Sequence, residues 1–168
     1  GSFLKLSPTF SVITNVDREH LDHYGSFEHA LDAFVTFANT VPFDGAVMVC
    51  VDDPVLARLL PRMTRRVVTY AADREDAMLT VRHVVSAHGQ SSCEVWRRTR
   101  HGGEDAPELL GTLTLHVPGR HNLRNALAAV GLGLELGVPF DGIAAGLAEF
   151  RGAERRLQVI GEAGGVLV

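Results

Sequence analysis

The sequence has none of the short motifs by which proteins most often hold nucleotide phosphates or activate a serine. It contains no GxxxxGK(S/T) phosphate loop, no GxGxxG dinucleotide fingerprint and no GxSxG nucleophile elbow. A chain without these loops cannot cradle a triphosphate by itself, and it offers no serine poised for acyl transfer. We therefore exclude a self-contained phosphate-loop enzyme and a serine hydrolase of the elbow type.

Cysteine, positive charge and long apolar runs are also scarce. Cys50 and Cys93 form no CxxC pair, so neither a zinc site nor a disulfide framework is indicated. The net charge of −4 and the absence of a lysine–arginine run exclude a nucleic-acid partner. The most apolar stretch, 126–150, is interrupted by Glu135 and Asp141, and no signal peptide is visible. We expect no membrane partner and a cytoplasmic location.

The first half of the chain alternates between buried strands and amphipathic helices. Apolar runs at 11–15, 46–51 and 66–71 are typical of buried strands, and Cys50 lies within one of them. After Ser26, a candidate N-cap, apolar residues recur at helical spacing. A second, short helix is predicted to begin at 52–54, where an acidic cap precedes a proline. This alternation predicts an α/β fold, a mostly parallel sheet with flanking helices.

In the second half of the chain, the spacing of the apolar residues changes twice. Alternating runs predict a small antiparallel β subdomain from three strands, 79–85, 92–97 and 110–117. The segment 100–107 is polar and predicts a mobile loop, and helical spacing returns after it at 122–136 and 140–150. Because the chain begins without methionine and stops on an apolar run, we expect an internal piece of a longer protein. We expect one incomplete central domain over 1–150 and the start of another at 151–168.

The segment 14–25 crowds ionisable side chains directly after the first predicted strand. In open α/β sheets, ligands collect at the carboxyl ends of strands. Carboxylates and imidazoles, among them His20 and His23, are suitable ligands for a divalent ion. The alternative is a solvated loop whose histidines cap the following helix.

A second polar segment, 118–126, opens the long helix. Asn122 and Asn125 are three residues apart and share one face of its first turn, where unpaired N–H groups favour an anion. An amide offers both a donor and an acceptor, which suits the edge of an adenine. The alternative is that Asn122 is only an N-cap and Asn125 faces solvent.

A third segment, 150–157, places several arginines beside the predicted domain boundary. A guanidinium there could bind a phosphate through two parallel hydrogen bonds. The alternative is a solvated basic turn.

In order and spacing, these three segments resemble the central, ATP-binding domain of the Mur ligases, which add amino acids to the peptidoglycan precursor. The matching stretches are DREHLDHYG at 17–25, GRHNLRNALAA at 119–129 and FRGAERRL at 150–157. The resemblance covers essentially the whole chain. Within the family, segments 1–9 and 41–45 look most like the member that adds L-alanine to UDP-N-acetylmuramate.

The resemblance implies a role for each segment. His20 would be a ligand of Mg²⁺ near the acyl phosphate. Asn122 and Asn125 would lie in the ATP site, with His121 beside the adenine. Arg156 would face the phosphates when a C-terminal domain closes. The implied reaction phosphorylates a carboxylate with ATP and then lets an amino group attack the acyl phosphate.

The chain departs from the family pattern because the phosphate loop and its lysine would lie upstream of Gly1. The resemblance therefore implies that this chain alone is inactive. Two alternatives stay open: a Mur-type ligase for another amino acid or for adding glutamate to folate, and a nucleotide- or metal-binding module without catalysis. A GxxxxGK(S/T) sequence upstream of Gly1 in the gene would favour the ligase, and its absence the binding module.

Overall fold

A mixed β-sheet covered by helices forms the centre of the protein in the computed structural model, which describes residues 2–18, 24–87, 89–101, 104–152, 162–163 and 166–167. The strands of the main sheet are β1 (Phe10–Ile13), β2 (Ala46–Cys50), β3 (Val67–Ala71), β4 (Leu79–Ala87), β5 (Gln90–His101) and β6 (Glu104–Leu115). The helices are α1 (Phe27–Thr40), α2 (Pro54–Leu59), α3 (Arg120–Glu135) and α4 (Phe140–Glu149). Two 3₁₀ turns span Ser2–Lys5 and Leu60–Arg62, and a short antiparallel pair joins β7 (Glu162–Ala163) to β8 (Val166–Leu167).

The strands of the main sheet lie side by side in chain order. Strands β1 to β4 run parallel, and β4, β5 and β6 pair antiparallel. The predicted α/β fold with a mostly parallel sheet and an antiparallel part is therefore confirmed. The antiparallel strands continue the parallel sheet, because β4 pairs with β3 through Tyr70↔Leu79 and Ala71↔Thr80.

Strand β2 lies at the centre of the core, and each of its residues is buried. A parallel strand with both faces covered needs apolar side chains at every position, which explains the uninterrupted run AVMVC. Helix α3 packs against this part of the sheet through buried residues such as Leu123, Leu127 and Val130. The core therefore fixes where α3 begins relative to the strand ends.

Two predicted helix starts are confirmed. Ser26 has an extended backbone (φ −153°), and its side chain accepts the His29 N–H at 3.2 Å. Asp53 caps α2 by accepting the N–H groups of Val55 and Leu56 at 2.7 and 3.0 Å. A side-chain oxygen before the first turn satisfies N–H groups that have no partner inside the helix, so both starts follow from local sequence.

The predicted loop at 100–107 is wrong, because β5 runs to His101 and β6 begins at Glu104. The two strands pair through this region, for example at Arg98↔Pro107 and Thr99↔Ala106. The sequence of the hairpin is polar, so the apolar alternation that marks a half-buried strand is missing. Pro107 is tolerated because β6 is the outer strand of the described sheet.

The C-terminal part of the chain is only partly described. The strand predicted at 157–160 lies outside the described residues, and the division at 150/151 stays a prediction. Across the residues that the structure covers, we find no helix with the length and apolar character needed to cross a membrane.

Candidate functional site

The carboxyl ends of β1, β2 and β3 meet at one edge of the sheet, as expected for neighbouring parallel strands. The segment 14–18 follows β1, Asp52 and Asp53 follow β2, and Asp73 lies just beyond β3. The Val16 N–H donates to Asp53 Oδ2 at 3.0 Å, which anchors the start of the polar loop to the end of β2. The edge predicted to bind ligands is therefore a connected set of strand ends.

Asp52 joins the ends of β2 and β3. Its side chain is only 1% exposed. Oδ2 accepts the Ala72 N–H at 2.6 Å, and Oδ1 accepts the Asp73 N–H at 3.0 Å. Hydrogen bonds from backbone N–H groups stabilise the charged form of a carboxylate, which makes its burial tolerable.

The N-terminal part of α3 lies at the same edge. Arg124 donates through Nε to Asp52 Oδ2 at 3.1 Å and through Nη2 to Asp73 Oδ2 at 2.6 Å. Arg120, the first residue of the helix, also forms an ion pair with Asp73. The structure thus places the residues of the GRHNLRN segment beside the ends of β2 and β3, although they are far away in sequence.

The three candidate nucleotide-binding residues on α3 differ in exposure. His121 is exposed, and its ring folds back over Gly119: a Cβ built on that glycine would lie 2.7 Å from His121 Cε1. Asn122 is half-buried, and its Nδ2 donates to the Pro118 carbonyl at 2.7 Å. Asn125 is exposed, and no described residue hydrogen-bonds to its amide. These side chains can meet a ligand from solvent, and within the described part of the chain nothing occupies the donor or the acceptor of the Asn125 amide.

The start of α3 shows that the alternative role of Asn122 as an N-cap is wrong. Gly119 is the N-cap, with φ +100°, so Asn122 is the third residue of the helix and does not cap it. A positive φ of this size favours glycine. The Asn122 side chain closes the turn onto Pro118 instead.

The other candidate residues lie outside the described residues. These are His20, the candidate metal ligand, its neighbour His23, and the arginine pair Arg155 and Arg156. Their roles stay predictions from the sequence.

The sequence reasoning missed the ion pairs that hold α3 to the sheet. It assigned Asp52 and Asp53 only to capping, and it gave no role to Asp73, Arg120 or Arg124. The signal that points to them is positional: an aspartate follows each of two neighbouring buried strands, at the edge where ligands collect.

The described residues offer binding groups rather than a metal cluster or a nucleophile. Among them, no group of three or more His, Cys, Asp and Glu side chains could hold a metal ion. Cys50 and Cys93 are both buried, and burial raises the pKa of each thiol, that of Cys93 to about 11. Burial likewise raises the pKa of the Tyr70 hydroxyl. All three groups are therefore protonated at neutral pH and poorly nucleophilic.

Comparison with known proteins identifies the family. The family model described as "Mur ligase middle domain" matches residues 2–133. The UDP-N-acetylmuramate–L-alanine ligase of Pelotomaculum thermopropionicum is 46% identical over 168 residues, which is all of this chain and 35% of that relative. The chain thus spans about a third of the length of the curated relatives it matches.

Solved structures show the same fold. The UDP-N-acetylmuramate–alanine ligase of Thermotoga maritima superposes with a TM-score of 0.74 at 25% identity, covering 96% of this chain and 33% of that one. The MurF ligase of Thermotoga maritima in complex with ADP gives a TM-score of 0.70 at 21% identity, covering 95% of this chain and 34% of that one. On the family match and the whole-chain identity to its relatives, the chain belongs to the Mur ligase family and represents its middle domain.

Proposed function

We propose that this chain is the ATP-binding middle domain of a ligase that joins L-alanine to UDP-N-acetylmuramate in peptidoglycan synthesis. The observation that carries the proposal is the N-terminal part of α3, whose second turn presents the exposed Asn125 amide next to the carboxyl edge of a parallel sheet. Relatives that carry this ligase name are 42–46% identical to nearly the whole chain. We propose a cytoplasmic location in bacteria, where ATP and sugar nucleotides are available.

The adenine end of the nucleotide fits the residues on α3. An exposed amide such as that of Asn125 can donate to and accept from the edge of a purine at the same time. Asn122 uses its Nδ2 in the bond to Pro118, and no described residue donates to its Oδ1. The His121 ring lies against Gly119, the N-cap of α3, and its flat face could stack on the base. A ligase with this fold was solved in complex with ADP, which supports nucleotide binding by the domain.

Binding of the phosphates of ATP would depend on residues outside α3. In the proposed reaction, a carboxylate oxygen of UDP-N-acetylmuramate attacks the γ-phosphorus of ATP and ADP leaves. The amino group of L-alanine then attacks the acyl carbon, and phosphate leaves. Positive groups must offset the charge on the transferring phosphoryl group. We assign this role to Arg156 and to a magnesium ion held by His20. Asp52 and Asp73 do not fit as metal ligands, because both already bind arginines.

Ligation by the full-length protein that carries this chain tests the proposal. We expect sustained release of ADP and phosphate only when both UDP-N-acetylmuramate and L-alanine are present, because without L-alanine the acyl phosphate is not consumed. The 168-residue chain alone should form neither, because it has no GxxxxGK(S/T) loop to hold the triphosphate. The measurement is phosphate release with mass spectrometry of the product.

The other outcomes separate the alternatives. Ligation of a different amino acid would support another Mur-type ligase. ADP binding by the full-length protein without any ligation would support a binding module. Phosphate release by the 168-residue chain that requires both substrates would contradict the role given to the missing loop.

A further inference from the structure

Two arginines occupy the N-terminal part of α3, where positive charge is normally unfavourable. The helix dipole places partial positive charge at this end, so cations are destabilising there and acids are stabilising. The first turn of α3 contains no acidic residue, and its N-cap makes no side-chain hydrogen bond. The acidic groups come instead from the strand ends, as Asp52 and Asp73.

The contact of Arg124 with these acids is well suited to fixing a position. Its guanidinium bridges two carboxylates through different nitrogens, Nε to Asp52 and Nη2 to Asp73. Asp52 is itself held by the N–H groups of Ala72 and Asp73, so one anchor is buried and rigid. A planar guanidinium gripped at two points restrains both the distance and the rotation of the helix that carries it.

The rotation of α3 decides where its ligand-binding side chains point. Successive residues of a helix turn by about 100°, so residues four apart share a face. Arg120 and Arg124 form one such pair and face the strand ends. His121 and Asn125 are also four residues apart and share a second face, which lies about 100° around the helix axis from the face of the two arginines. Fixing the arginine face therefore fixes the direction of the His121 and Asn125 face.

We propose that Arg124, held by Asp52 and Asp73, is a positioning residue that sets the orientation of His121 and Asn125 toward the purine base of the nucleotide. The inference rests on the proposed nucleotide site and adds a residue that makes no contact with the nucleotide itself. Arg120 contributes less, because its side chain is 61% exposed and it binds only Asp73 among the described residues.

The same helix provides a matched control at its other end. Glu135, in the last turn of α3, forms a two-bond ion pair with Arg66, which precedes β3; Nη2 and Oε1 are 2.7 Å apart. This pair also ties α3 to the sheet. Glu135 lies roughly 16 Å along the helix axis from Arg124. Loss of its ion pair would therefore free the far end of α3, while Asp52 and Asp73 still hold the end that carries His121 and Asn125.

The experiment compares Arg124→Met with Glu135→Gln in the full-length protein. ADP affinity is measured by calorimetric titration in magnesium buffer, and melting temperature is measured without ligand. We expect Arg124→Met to weaken ADP binding about 10-fold, and Glu135→Gln to change it less than about 2-fold, even where the two lower the melting temperature equally.

The ADP affinity of Arg124→Lys should lie between those of wild type and Arg124→Met, since an ammonium can reach only one carboxylate well. In turnover assays Arg124→Met should raise KM for ATP with little change in kcat.

Equal changes in ADP affinity for Arg124→Met and Glu135→Gln, or none for Arg124→Met, would overturn the inference. If Arg124→Met does not fold, Asp73→Asn replaces it, because Asp73 is the more exposed of the two acids. ADP binding needs no ligation, so a wild-type protein that binds ADP but does not ligate contradicts the proposed reaction and leaves this comparison valid. A wild-type protein that binds no ADP would overturn both.

Discussion

Replacing His20 by alanine in the full-length ligase should lower turnover about 10- to 100-fold and raise the magnesium concentration needed for half-maximal activity. In the sequence, His20 follows residues 14–18, and these described residues lie after β1 at the edge of the sheet where α/β proteins bind ligands. The start of this segment is fixed there by the bond from the Val16 N–H to Asp53. A neutral imidazole is a suitable ligand for a divalent ion, and its loss weakens the site. Turnover measured across a magnesium titration checks the prediction.

His23 provides the control for His20, because it lies in the same segment and has the same chemistry. The family resemblance assigns the metal to His20, so His23→Ala should have a milder effect. Normal turnover of His20→Ala at all magnesium concentrations would contradict the ligand assignment. Equal losses from both replacements would indicate that the imidazoles serve the local structure of the segment.

Gly45→Ala should lower the free energy of unfolding by about 3 kcal/mol, a large loss for a single added methyl group. A Cβ at this position would lie 1.9 Å from the Thr9 carbonyl oxygen and 2.8 Å from Val41 Cγ1. Thr9 precedes β1, whose pairing with β2 begins at Phe10↔Ala46. Because the nearest atom belongs to the backbone, the start of β1 would have to move away from β2. Urea unfolding of the chain measures the change.

Gly146→Ala is the matched control for Gly45→Ala. Gly146 lies inside α4, and a Cβ there would meet nothing within 4 Å. Alanine is a better helix former than glycine by about 1 kcal/mol, so this variant should be more stable than wild type. Small changes of the same sign in both variants would show that β1 is not packed against β2 as closely as the structure indicates.

The features that sequence reasoning predicted correctly depend on local chemistry. Ser26 and Asp53 cap helices because their side chains reach N–H groups only two or three residues away. The parallel sheet was predictable because a strand buried on both faces, such as β2, must be apolar throughout. These signals need no knowledge of distant parts of the chain.

The features that it missed depend on residues far apart in sequence. Arg124 meets Asp52 and Asp73 across sequence separations of 72 and 51 residues, and no periodic pattern links them. The length of the β5–β6 hairpin was not predicted, because its polar sequence lacks the apolar alternation by which strands are recognised. The sequence places Asn125 on the first turn of a helix beginning at Asn122, whereas α3 begins at Arg120 and Asn125 lies on its second turn. Its exposure and the absence of a hydrogen-bond partner among the described residues required the structure.

The most direct test of the central claim is the affinity of Asn125→Ala for ADP in the full-length protein, beside its affinity for UDP-N-acetylmuramate and its melting temperature. If α3 presents this amide to the purine base, ADP binding weakens by about 3- to 10-fold, as expected for the loss of one hydrogen bond. Binding of the sugar nucleotide then stays the same, and so does the melting temperature without ligand, because no described residue hydrogen-bonds to the Asn125 amide. A lower melting temperature with an unchanged dissociation constant for ADP would contradict the claim and leave Asn125 with a structural role.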